Sequence, residues 1–135
     1  MNSIDPLTKG THHIGLTVSN LEASAKFFIE VLDWSEVKRV PEYPAVFVTD
    51  GVLMITLWGV KSDKPQAFDK NSNVGLHHLA LRVETFNDLN SVYEKVVEYG
   101  LKVEFSPELL GEGPAKHMMF YEPSGVRLEI ICIPS

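Results

Sequence analysis

Two histidine pairs head two closely similar segments of this chain. Thr11-His12-His13-Ile14-Gly15-Leu16-Thr17-Val18 returns, about half the chain later, as Leu76-His77-His78-Leu79-Ala80-Leu81-Arg82-Val83. Imidazole nitrogens are donors to divalent metals, so a histidine at the same place in each half is a candidate ligand pair. A repeat of this length marks a duplicated supersecondary unit, because a solenoid needs three or more shorter copies.

The elements that must position these histidines follow from periodicity. Apolar residues alternate over 12–18, which predicts a half-buried strand. Ser19 or Asn20 can cap a helix starting near Leu21, with Leu21, Ala25, Phe28 and Leu32 on its buried face. Strands are expected at 36–40, 45–49 and 52–58, with Asp50-Gly51 as the hairpin turn. The second half repeats the order: a strand at 75–83, then a helix from Asn87 or Asp88 to Tyr99, ended by Gly100. Strands at 101–105, 117–121 and 126–133 follow; 106–116 reads as a loop, within which 109–114 could form a lid over a site.

Each half is therefore β-α-β-β-β. The fold class is α+β: one domain over 1–135, with module 1 at 11–60, module 2 at 75–135 and a polar linker at 61–74. A four-stranded sheet covered by one helix leaves its other face bare. Two bare faces can close into a cup, within one chain or between two.

Strand parity assigns side chains to that cup. Ile14, Leu16 and Val18 meet the helix, so His13 and Thr17 point the other way. Leu79, Leu81 and Val83 leave His78 and Arg82 on the open face. In the last strand Arg127, Glu129 and Ile131 oppose Val126, Leu128, Ile130 and Cys132. His13, His78 and Glu129 thus share the cup interior, while His12 and His77 fall on the helix side. Two imidazoles and a carboxylate suit one divalent ion per site (Fe, Mn, Ni, Co or Zn) with coordination positions left open for substrate. Each residue alone also has an ordinary reading, as a satisfied core histidine or as an ion-pair partner of Arg127 or Arg82. Repeat symmetry and parity together favour the metal.

Composition bounds the rest. A chain of 135 residues with net charge −6 lacks the basic surface that nucleic-acid binding requires. No apolar run approaches a membrane span, and Met1-Asn2-Ser3-Ile4-Asp5-Pro6 lacks signal-peptide character. A single cysteine, Cys132, forms no intrachain disulfide, and a cytoplasmic setting is the expectation.

These residues resemble the vicinal oxygen chelate superfamily, which includes glyoxalase I, fosfomycin-resistance proteins, bleomycin-binding proteins and extradiol dioxygenases. The resemblance runs from His12 to Ile133. It is carried by the two histidine-headed strands, by Ser24 and Phe27-Phe28, and by Glu122-Pro123-Ser124-Gly125-Val126-Arg127-Leu128-Glu129. This last stretch is similar to the family's Asp-Pro-x-Gly-x-x-x-Glu, whose glutamate is a metal ligand. The implied fold is paired βαβββ modules with cup-shaped mixed sheets. The implied assembly is a homodimer with sites at the subunit interface, His13 from one chain and His78 with Glu129 from the other.

Glyoxalase I has a second glutamate in the last strand of its first module. Matching Gly51-Val52 to Gly125-Val126 places Ile55 opposite Glu129, and neither Met54 nor Thr56 beside it is a carboxylate. His117, on the face of Met119 and Tyr121, is the candidate general acid or base in its place, since histidine titrates near neutrality. A surface histidine beside Lys116 is the plainer alternative. Thr17, Arg82 and Arg127 are candidate substrate contacts, the arginines by two-pronged bonds to a carboxylate; ion pairs with Glu104 or Glu108 compete.

The leading expectation is a divalent-metal-dependent glyoxalase-like enzyme of lyase or isomerase type, related to lactoylglutathione lyase. Its substrate is a small carbonyl or enediolate-forming molecule. An Fe(II)-dependent extradiol-type dioxygenase and a non-catalytic antibiotic-binding protein are the alternatives.

Overall fold

The computed structural model describes residues 5–135. The first four residues of the N-terminal stretch assessed for signal character lie outside the described residues. Module 1 comprises β1 (His13–Val18), α1 (Leu21–Glu30), β2 (Ser35–Val40), β3 (Ala45–Thr49) and β4 (Met54–Gly59). Module 2 comprises β5 (Leu79–Val83), α2 (Phe86–Tyr99), β6 (Val103–Leu109), β7 (Lys116–Tyr121) and β8 (Arg127–Cys132). The two sheets have the same order, β1-β4-β3-β2 and β5-β8-β7-β6, each with one parallel pair, β1 on β4 and β5 on β8.

Local chemistry sets the helix ends. Asn20 caps α1, its side chain accepting from the Ala23 N–H at 3.1 Å. Helix α2 begins earlier than the expected Asn87 or Asp88. Thr85 is its cap, and Asp88 is the third residue of a reciprocal capping box. Gly100 ends α2 with φ +85°, a conformation that costs glycine little. Strand β6 extends to Leu109, into the expected 106–116 loop, because Glu108 and Leu109 pair with His117 and Lys116. Strand β5 starts at Leu79 instead of residue 75, so His78 sits at its entrance.

The core lies on the helical side of both sheets and is continuous across the modules. Phe27 and Phe28 of α1 and Phe120 of β7 are fully buried, and Phe27 meets Phe120 at 5.7 Å between ring centroids. Burial of each such ring contributes about 1.5–3 kcal/mol. Trp34 packs on Phe28 beneath α1, at 5.0 Å. A polar latch joins the same two modules. Buried Glu122 accepts from Ser24 Oγ (2.5 Å) and from the Ser124 and Val126 N–H groups (2.7 and 3.0 Å). Burial pushes the Glu122 carboxyl upward, against the pull of these three donors.

With helices and core on one side, the opposite face of each sheet is open. His13 and Thr17 are exposed on one, Ala80 and Arg82 on the other. Among the described residues no helix is long and apolar enough to cross a membrane.

Candidate metal centre

Three of the expected residues meet on the open face of the second sheet. His78 enters with β5, Glu129 lies in β8 beside Ala80, and His117 stands on β7 opposite Ile131. Glu129 is 8% exposed, an unusual place for a carboxylate without partners. Both of its oxygens are engaged. Oε2 lies 2.6 Å from His117 Nδ1, and Oε1 lies 3.2 Å from His78 Nε2.

Two of these atoms, His78 Nε2 and Glu129 Oε1, are spaced as neighbouring ligands of one divalent cation would be. With ligand bonds near 2.1 Å, neighbouring donors stand about 3.0 Å apart around an octahedral ion and about 3.4 Å around a tetrahedral one. The His78–Glu129 separation of 3.2 Å falls in that interval. His117 Nδ1 at 2.6 Å is instead a hydrogen-bond partner of the carboxylate, the kind of outer contact that orients a ligating oxygen. Phe105 stacks obliquely on the His117 ring at 4.9 Å.

His13 is not brought to this cluster. It lies on β1 of the other sheet, across from Met54, and its Nδ1 faces His12 Nδ1 at 2.9 Å. Among the described residues, no group of three or more His, Cys, Asp or Glu side chains within the chain is arranged to hold a metal ion.

The three candidate substrate contacts are dispersed. Arg127 is held by Glu104 through two parallel bonds, Nε to Oε1 at 2.9 Å and Nη2 to Oε2 at 2.6 Å. The Tyr121 hydroxyl donates to the same carboxylate at 2.7 Å. These contacts, the Arg127 bond foremost, draw the Glu104 carboxyl down to about 2. Arg127 and Thr17 both line a cleft of about 610 Å³ between β1, residues 65–71 and the β7–β8 turn. Arg82 lines a different cavity of about 340 Å³, near Asp33 and Lys95. Neither cavity is walled by His78, His117 or Glu129.

The register between modules differs from that expected. Ala80 pairs with Glu129 and its repeat mate Gly15 pairs with Thr56, so Thr56, not Ile55, is the counterpart of Glu129. The β3–β4 turn occupies residues 50–53 and the β7–β8 turn residues 122–126. Matching their glycines therefore slips the strand by one residue, which exchanges its two faces. Thr56 is buried and accepts from Trp58 Nε1 at 3.0 Å. A Cβ added at Gly15 would stand 3.2 Å from Thr56 Oγ1 and 3.6 Å from Trp58 Nε1, so the glycine leaves room for the indole. Trp58, with Phe47 and Tyr43 near it, gives this open face an aromatic floor. The alternation around β4 was a signal for Trp58; the turn lengths needed for Thr56 were not readable.

Duplicated βαβββ modules with imidazoles and a carboxylate on their open faces define a class of small α+β proteins. The chain belongs to the glyoxalase/bleomycin resistance protein/dioxygenase superfamily, whose profile matches residues 10–130. A 2-epi-5-epi-valiolone epimerase from Actinomyces sp is 27% identical, over 96% of this chain and 82% of its own. A glyoxylase/bleomycin resistance protein/dioxygenase domain from Frankia sp. EAN1pec superposes with a TM-score of 0.81 at 26% identity, covering 93% of this chain and 92% of that one. Lactoylglutathione lyase from Agrobacterium tumefaciens shares the fold, with a TM-score of 0.71 at 16% identity over 94% of this chain and 96% of that one.

Proposed function

We propose that this protein is a divalent-metal-dependent, glyoxalase-like enzyme acting on a small carbonyl or enediolate-forming substrate. The observation that carries the reading is Glu129, buried with one oxygen toward His78 and the other on His117. His78 and Glu129 would hold the ion, with His13 of a second copy as third ligand in a homodimer. The open sheet faces and the separation of His13 from the other two within one chain support that assembly. A bound ion supplies Lewis-acid stabilisation for negative charge developing on a substrate oxygen.

The chain's own residues move the proton. With Nδ1 engaged by Glu129, His117 has Nε2 left to take a proton from carbon and return it. Isomerisation and epimerisation beside a carbonyl both need such a transfer, and the Actinomyces relative is by its name an epimerase. Thr17, Arg82 and Arg127 stay the candidate substrate contacts in this reading: Thr17 and Arg127 line one cleft, where Glu104 grips Arg127, and Arg82 lines the other cavity. Cys132, buried and unpaired, suits a cytoplasmic enzyme.

Mixing two inactive variants tests both the ligands and the assembly. His13→Ala and Glu129→Ala should each lose bound metal and turnover. In a 1:1 mixture exchanged to equilibrium, half the dimers are mixed and each carries one intact site, so roughly a quarter of the sites return. Full metal retention in both single variants would overturn the ligand assignment. Loss in each without recovery on mixing would overturn the shared site.

A further inference from the structure

The two open faces share one frame and differ in what they carry. In module 2 the row across the sheet through Glu129 runs Ala80, Glu129, Met119 and Phe105, and His117 stands in the next row. The matching row of module 1 runs Gly15, Thr56, Phe47 and Lys38, and Trp58 stands in the next. Where one face holds a carboxylate and an imidazole, the other holds aromatic rings. Trp58 is 38% exposed, and half-buried Phe47 lies 6.3 Å from it between ring centroids. Aromatic surface left open on a sheet face without a covering helix marks a place of binding.

Trp58 is held as a contact surface. Its one polar atom is engaged, because Nε1 donates to Thr56 Oγ1 at 3.0 Å, and what a ligand can meet is ring carbon. Gly15 keeps the space beside that edge clear, since a Cβ there would stand 3.6 Å from Nε1. A ring fixed before anything binds loses little freedom on contact. His13 lies two residues from Gly15 on the same face of β1, about 6.6 Å away along the strand. A ring attached to a carbonyl whose oxygen reaches an ion held through His13 is therefore within reach of Trp58. Lys38 adds charge at the border of this floor, its Nζ 6.0 Å from the centroid of the Phe47 ring.

We propose that the open face of module 1 sets substrate specificity: Trp58 and Phe47 stack on a planar ring carried by the substrate, and Lys38 attracts an anionic group on it. The substrate class is then an anionic carbonyl compound that bears an aromatic ring. Aromatic rings attract one another in offset or edge-on contact through their quadrupoles, which an aliphatic group of similar area does not reproduce. The inference rests on the metal reading for the place of the carbonyl, but not for the ring contact itself.

Two α-keto acids test it on the full chain, with and without Zn²⁺, their affinities read by ligand-observed NMR titration. Phenylglyoxylate carries a ring; 4-methyl-2-oxopentanoate is apolar and branched without one. The wild type should prefer phenylglyoxylate. Trp58→Leu should weaken phenylglyoxylate about 2- to 12-fold, the usual worth of an aromatic pair, and leave the branched acid nearly unchanged. Trp58→Phe keeps a ring and should retain most of the preference, which separates stacking from damage to the fold. Lys38→Met should weaken both acids alike. An equal loss of both acids in Trp58→Leu, an unchanged phenylglyoxylate affinity there, or no effect of Lys38→Met overturns the inference. Zn²⁺ should tighten both acids in the wild type through their neighbouring oxygens. No effect of Zn²⁺ with the ring preference intact would overturn the metal reading and leave this one standing.

Discussion

Glu129 Oε2 lies 2.6 Å from His117 Nδ1, although the two residues come from different strands and His117 has a hydrogen-bonding partner nowhere else among the described side chains. The contact makes one imidazole nitrogen the anchor and frees the other for proton exchange. It also ties the proposed acid–base group to a proposed ligand.

Replacing His117 by Gln should therefore lower turnover by about 10²- to 10⁴-fold, the usual contribution of a positioned general acid or base. Metal content should stay near that of the wild type, because His13, His78 and Glu129 remain. Elemental analysis beside steady-state kinetics checks this; loss of metal with activity would make His117 a support for Glu129 instead.

Gly15 is predicted to be intolerant of a side chain for a reason visible in fluorescence. A valine there would meet Thr56 Oγ1 and the Trp58 indole, forcing the ring off its 3.0 Å bond to Thr56. Trp58 is 38% exposed and Trp34 only 7%, so a red shift of the emission on Gly15→Val would report Trp58 moving outward. The overpacking should cost about 1–3 kcal/mol in urea unfolding.

Acid should weaken the fold through Glu104. Its carboxyl is drawn from the ordinary 4.5 to about 2, chiefly by the Arg127 hydrogen bond. The folded state then binds fewer protons than the unfolded chain between those values. The stabilisation is complete above about pH 4.5 and is lost as the pH falls toward 2. Glu122 acts in the opposite sense: its carboxyl is raised by burial, so its contribution is present at low pH and lost as the pH rises through its folded value. Urea midpoints measured from pH 2 to pH 6 should fall less steeply toward acid in Glu104→Gln than in the wild type; an equal slope would refute the assignment.

The sequence by itself determined the duplication, the order of elements and the faces of β1, β5 and β8. Side chains in a strand alternate with period two, so apolar Leu16 and Val18 place Thr17 on the open side without any knowledge of neighbours. The same logic placed Glu129 opposite Leu128 and Ile130. What only the tertiary structure decided were relations between strands. The shorter turn at 50–53 made Thr56, not Ile55, the counterpart of Glu129, because register depends on how two ladders meet across a turn. The grip of Glu104 on Arg127 and the meeting of His117, Glu129 and His78 join residues from β5 to β8, and no local spacing encodes such contacts. The two modules share one core, with Phe27 of α1 on Phe120 of β7, which left both open faces outward and His13 apart from the other candidate ligands. That outcome follows from where the largest apolar side chains find one another, a property of the folded chain as a whole.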